Sequence, residues 1–161
     1  MRIAISSDER AGVAGGLAEA LEQRGHEVIP HGALKRTSPA PDAPVDGDAA
    51  GLEEQWAWAS ESAARDVAEG NAEYAVVCCW TGTGAAISAN KVAGVRAALC
   101  HDAPTAAGAR RWNDANVLAI SLRSTAEAEL GEILDAFLDT PASAEREDQA
   151  NVAHLAEMER R

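Results

Sequence analysis

Short apolar runs of strand character alternate with stretches of helical spacing from one end of this chain to the other, and that alternation limits the possible folds more than any other feature. Ile3, Ala4 and Ile5 form a run that stops at Ser7-Asp8; in residues 11–24, Val13, Leu17, Ala20 and Leu21 then recur at helical spacing up to Gly25. The same succession repeats: strand signals at 26–30, 72–79, 95–100 and 117–121, helix signals at 52–69, 84–91, 103–112 and 125–138. Residues 74–79 are apolar without interruption, the pattern of a parallel strand covered on both faces. The reading is an α/β fold: a three-layer Rossmann-like domain, a five-stranded parallel sheet with helices on both faces, plus a C-terminal helical extension. In such sheets ligands lie beyond the carboxyl ends of the strands, where strand order reverses.

At 161 residues the chain has room for one domain, expected over 1–140. The polar segment 141–161 follows, with a helix at 145–161 whose thin stripe of Val152, Leu155 and Met158 reads as a contact with another subunit. Residues 32–51, with Pro39, Pro41 and Pro44 and several aspartates, read as a loop bordering a site or an interface. A net charge of −12 opposes phosphate backbones and anionic membranes, which argues against nucleic-acid and membrane partners. Apolar runs too short for a bilayer, and a start without a signal-peptide core, lead to the expectation of a soluble cytoplasmic protein. Cys78, Cys79 and Cys100 are too few and too close for a disulfide framework, and four scattered histidines offer no metal-ligand spacing.

The segment Cys78-Cys79-Trp80-Thr81-Gly82-Thr83-Gly84 ends the third strand and opens a helix, so its glycines let backbone N–H groups approach a ligand oxygen. Two glycines alone are compatible with an ordinary turn, and neither a dinucleotide fingerprint nor a nucleoside-triphosphate loop is complete here. Taken by itself, Cys79 is either a small buried hydrophobe or a reactive thiol beside a helix N-terminus, a position where thiolates are favoured.

Three blocks carry a resemblance. Cys79-x-Thr81-Gly82-x-Gly84, then Ile87-x-Ala89-Asn90-Lys91-x-x-Gly94-x-Arg96, then Arg110-x-x-Asn113-Asp114-x-Asn116-Val117-Leu118-Ala119, resemble the type-B ribose-5-phosphate isomerases and the related galactose-6-phosphate isomerase subunits. The likeness runs almost without gaps over 73–123, includes Ile3 and Asp8, and is poor over 32–58. It implies an aldose–ketose isomerase that needs no cofactor and passes through an enediolate, with Cys79 as base, Thr81, Gly82, Thr83 and Gly84 holding the oxyanion, and Asp8 contacting hydroxyls or moving a proton. Asn113 matches a substrate-binding asparagine, and the family's shared-site dimer implies a homodimer or a dimer of dimers. Outside the resemblance, Asp8 suits a helix N-cap, Cys78 and Cys100 suit the core, and Lys91 suits a helix C-terminus.

The chain departs from that pattern at three places. Glu9-Arg10 stands where a histidine usually follows the aspartate; Arg146 is an approximate counterpart of the family's terminal phosphate-binding arginines, leaving Arg10, Arg110, Arg111 and Arg146 as candidate phosphate ligands. Trp112 replaces the histidine that opens the sugar ring, so either another group such as His101 opens it or the substrate arrives open. Trp56, Trp58 and Trp80 also stand where the family tends to have smaller or different residues; they read either as an apolar wall for a different sugar or as core filling, and core filling is expected for Trp56 or Trp58, among many alanines. The leading reading is an isomerase acting on a small phosphosugar, with a preference for a short or acyclic one. The alternatives are an epimerase using the same enediolate and a non-catalytic sugar-phosphate-binding protein.

Overall fold

The computed structural model describes residues 1–35 and 49–160. Five strands alternate with helices: β1 (Arg2–Ser7), α1 (Leu17–Glu22), β2 (Glu27–Gly32), α2 (Trp56–Ala68), β3 (Tyr74–Cys79), α3 (Thr83–Ala89), β4 (Ala97–Leu99), α4 (Ala103–Asn113), β5 (Val117–Ser121), α5 (Glu127–Asp139) and α6 (Arg146–Met158). All strand pairs are parallel, in the order β2-β1-β3-β5-β4. The expected three-layer architecture is therefore present. Strand order reverses between β1 and β3, which places the crevice of the sheet at the ends of those two strands.

Boundaries moved for local reasons. The helix expected over 11–24 is broken at Gly15-Gly16 into a 3-10 turn (Gly12–Gly15) and α1, because consecutive glycines hold a helix poorly. The strand expected over 95–100 contracts to Ala97–Leu99 at the sheet edge. Of the loop expected over 32–51, Ala33–Lys35 and the start of Ala49–Glu54 are 3-10 turns, and 36–48 lie outside the described residues, as does Arg161 at the end of the expected terminal helix.

The two faces of the sheet are built differently. On one, Ile3, Ile5, Val76, Cys78, Leu118 and Ile120 meet Leu17 and Leu21 of α1 and Leu130, Ile133, Leu134 and Phe137 of α5. On the other, Ala4, Ala75, Val77, Cys79 and Ala119 meet Ala63 and Ala64 of α2 and Ala85 and Ala89 of α3. Alternation along β3 puts Cys78 and Cys79 on opposite faces, with Cys79 on the face of small side chains. Small residues bring α2 and α3 close to the strands, so their first turns stand at the rim of the crevice. The terminal helix α6 buries no residue fully; it is fastened where the Ser143 N–H donates to the Arg111 carbonyl at 2.8 Å and the Gly94 N–H donates to the Glu159 carboxylate at 3.0 Å. No helix among the described residues is long and apolar enough to cross a membrane.

Candidate active site

Residues leaving β1 and β3 meet at the strand-order reversal. Asp8 follows the last residue of β1, and Cys79 is the last residue of β3, 5% exposed. Together with Trp80, Thr81, Thr83 and Gly84 they line a cleft of about 260 Å³. Burial pushes the Asp8 carboxyl above the usual carboxylate range, against the opposing effect of its own backbone N–H, and the neighbouring Glu9 charge adds to the rise. The Asp8 Oδ1 atom is buried with no hydrogen-bond partner among the described residues. A carboxyl in that condition suits a group that changes protonation when a substrate hydroxyl reaches it.

The turn after Cys79 is held from both sides. Its carbonyl accepts the Gly82 N–H at 3.2 Å and the Leu122 N–H at 3.1 Å, while the Trp80 carbonyl accepts the Arg123 N–H at 2.9 Å and the Ser121 hydroxyl at 3.1 Å. Gly82 caps α3 at φ +74° and has no side chain with which to cap the first-turn N–H groups. The Thr81 and Thr83 hydroxyls share a hydrogen bond of 2.7 Å at the mouth of the turn. The other two thiols are core groups: burial pushes Cys78 well up, and Cys100, buried with Asp102 nearby, to about 11.

For Trp56 the structure favours the wall reading over the expected core filling. It lines the same cleft and is 41% exposed, and Trp58 is 47% exposed, so neither fills the core of this chain as expected. The buried positions of α2 are Ala59, Ser60, Ala63 and Ala64, and an indole does not fit an interface that close. Arg10 is exposed just beyond Asp8. His101 is exposed at the end of β4, 3.4 Å from Asp102. It stands two strands from β3, about 10 Å at ordinary strand spacing, and is outside the cleft lining.

The remaining candidates are at the opposite end of the sheet. Helix α4 returns from the end of β4 to the start of β5, so its last residues, Trp112 and Asn113, lie at the amino ends of the strands. Trp112 is 56% exposed beside α6, its ring folded over Gly108; Arg146 opens α6 and is exposed. Arg110 is corrected as a phosphate ligand: it is 5% exposed, donates to Asp114 Oδ1 at 2.7 Å, the Ala115 carbonyl at 2.8 Å and the Tyr74 hydroxyl at 2.9 Å, and lies over the Tyr74 ring. Arg96 donates to the Asp114 carbonyl at 2.7 Å and its carboxylate at 2.9 Å. The Asn116 side chain accepts the Arg96 N–H at 2.8 Å, and Asn90 clamps both backbone groups of Ala97, at 2.8 and 2.9 Å. Much of the motif between 90 and 116 thus fastens the amino ends of β4 and β5. Among the described residues no three His, Cys, Asp or Glu side chains gather as a metal site.

The ribose/galactose isomerase profile matches residues 3–155. The chain belongs to that family. It is therefore a sugar-phosphate isomerase, an enzyme that interconverts aldoses and ketoses. Ribose-5-phosphate isomerase B of Mycobacterium tuberculosis is 37% identical over 144 residues, covering 89% of this chain and 80% of the relative. D-erythrulose-4-phosphate isomerase of Pectobacterium atrosepticum is 41% identical over 76 residues, covering 47% of this chain and 50% of the relative. The structure of Clostridium thermocellum ribose-5-phosphate isomerase B superposes with a TM-score of 0.81 at 28% identity, covering 99% of this chain and 98% of that one.

Proposed function

We propose that this isomerase interconverts a four-carbon ketose phosphate and its aldose through an enediolate, with Cys79 as the base. The observation that carries the reading is the meeting of Cys79 and Asp8 in one cleft at the strand-order reversal, beside the start of a helix whose N-cap is a glycine. The Cys79 thiolate takes the proton from the hydroxyl-bearing carbon, and the electron pair moves to the carbonyl oxygen as the enediolate forms. Thr81 and the backbone of Gly82, Thr83 and Gly84 stabilise that oxygen. Asp8 passes a proton between the two oxygens, and Cys79 returns its proton to the neighbouring carbon.

Three considerations support a tetrose. A four-carbon sugar whose O4 carries phosphate cannot close a furanose ring, so no ring-opening acid is required, and Trp112 stands where the family pattern has its ring-opening histidine. His101 lies outside the lining of that cleft, two strands from β3. The D-erythrulose-4-phosphate isomerase similarity adds a relative with a four-carbon substrate. Trp112 and Asn113 reach the cleft from a second copy of the chain in a homodimer, which also supplies Arg146 to the phosphate alongside Arg10. Turnover of D-erythrulose 4-phosphate and ribose 5-phosphate in D2O tests the proposal. Wild type is expected to favour the tetrose and to incorporate deuterium next to the carbonyl; Cys79→Ala is expected to lose both turnover and incorporation by at least about 100-fold, the contribution of one general base. Near wild-type exchange in Cys79→Ala removes the base assignment, and efficient use of ribose 5-phosphate in preference to the tetrose removes the substrate.

A further inference from the structure

Trp56 opens α2 and lies on the start of α3. A Cβ placed on Gly84 would stand 2.9 Å from Trp56 Cε3, 3.1 Å from Cδ2 and 3.2 Å from Cζ3, so the six-membered ring rests on backbone that only glycine leaves bare. Gly84 therefore does more than open the turn: it seats an indole. Trp80, 56% exposed, lines the same space. Two exposed indoles that share a cleft with one thiol and one carboxyl are a built apolar surface, unlike large apolar residues scattered singly over a protein. Asp8 is the one charged side chain among the described lining residues. The volume of about 260 Å³ falls below the roughly 300–1,000 Å³ of clefts that take drug-sized ligands.

We infer that Trp56, seated on Gly84, is the wall that sets the length of sugar this cleft accepts. The inference rests on the isomerase reading above and adds a residue that discriminates four carbons from five. An indole pinned by backbone contact yields less than a flexible side chain, so an additional CHOH group meets a fixed surface. Discrimination by one such unit is worth about 10- to 200-fold in kcat/KM.

Trp56→Ala and Trp56→Phe in the full-length chain test this. For each, kcat/KM is measured with D-erythrulose 4-phosphate and ribose 5-phosphate, and calorimetry gives the affinity for the three- and four-carbon aldonate phosphates, whose carboxylates resemble the enediolates of the four- and five-carbon sugars respectively and do not react. Expected is a fall of 10-fold or more in the four-to-five-carbon ratio for Trp56→Ala, a smaller fall for Trp56→Phe, and the same order in the aldonate affinities. Equal losses for both chain lengths would make Trp56 a support of the fold and overturn the inference; so would an unchanged ratio, or a wild type that binds both aldonates alike. Should wild type fail to turn over the tetrose, the substrate proposal falls separately, and the aldonate preference still decides Trp56. Trp56→Phe retains a ring over Gly84, so a folding defect in Trp56→Ala leaves the question answerable.

Discussion

Gly82→Ala is expected to be the costliest single-methyl addition at the site, for reasons that can be separated. Gly82 sits at φ +74°, and a Cβ there would stand 2.5 Å from Leu99 Cδ1, 2.9 Å from the Ile120 carbonyl carbon and 3.0 Å from its oxygen. The left-handed conformation costs an L-residue about 1–2 kcal/mol. Leu99 can rotate away, but Ile120 belongs to β5 and is paired with Cys78 of β3, so its backbone cannot retreat without disturbing that ladder. Overpacking of that kind adds about 1–3 kcal/mol, giving a total of about 2–5 kcal/mol. Gly70 supplies the control: its φ is +78° with nothing within 4 Å of an added Cβ, so Gly70→Ala should lose the backbone part alone, about 1–2 kcal/mol. Urea unfolding at one fixed protomer concentration measures both from the midpoint, provided the slope is unchanged. Equal losses for the two variants would refute the claim that close backbone approach, beyond backbone conformation, fixes glycine at 82.

Asp8→Asn should lower turnover yet raise stability at neutral pH. Burial lifts the native carboxyl above its unfolded value, so wild-type stability falls as pH rises from the unfolded pKa through the native one; thermal melts of the two proteins should converge below the ordinary carboxylate range and separate above it, and parallel curves would contradict this. Arg110→Ala should cost about 1.5–3 kcal/mol, since it removes a buried guanidinium from the Ala115 carbonyl and the Tyr74 hydroxyl while half-exposed Asp114 keeps Arg96. At about 2–4 °C per kcal/mol the melting temperature should drop accordingly with KM little changed, whereas a raised KM in a protein of normal stability would restore the phosphate-binding role.

The layers of the fold were legible because parallel strands buried on two faces read as uninterrupted apolar runs, and β3 and β5 do so. The placement of Cys79 was legible for the same reason: strict alternation separates it from Cys78, and the crossover to a helix puts the strand end at the crevice. Trp56 was legible only as one of two alternatives, since a tryptophan among alanines also looks like the bulky anchor of a helix stripe. Only the packing shows that the stripe is itself alanine and serine, and that the interface it makes excludes an indole. Arg110 was misread for the converse reason. Spacing along α4 does not reveal that Tyr74 and Phe137 close over it from β3 and α5.

Chain polarity separates the two tryptophans assigned to the sugar. A helix joining parallel strands must run against them, so α4, starting after β4, ends at the amino edge of the sheet and takes Trp112 there. Along α4, 11 residues span about 16 Å, and β3 from Tyr74 to Cys79 spans a similar distance, so Trp112 and Cys79 of one chain lie at opposite ends of the domain. The part proposed for Trp112 is therefore a property of two copies and depends on their association. Trp56 rests on Gly84 within one chain, in the same cleft as Cys79, so the length limit proposed for it acts from within the chain that carries the thiol.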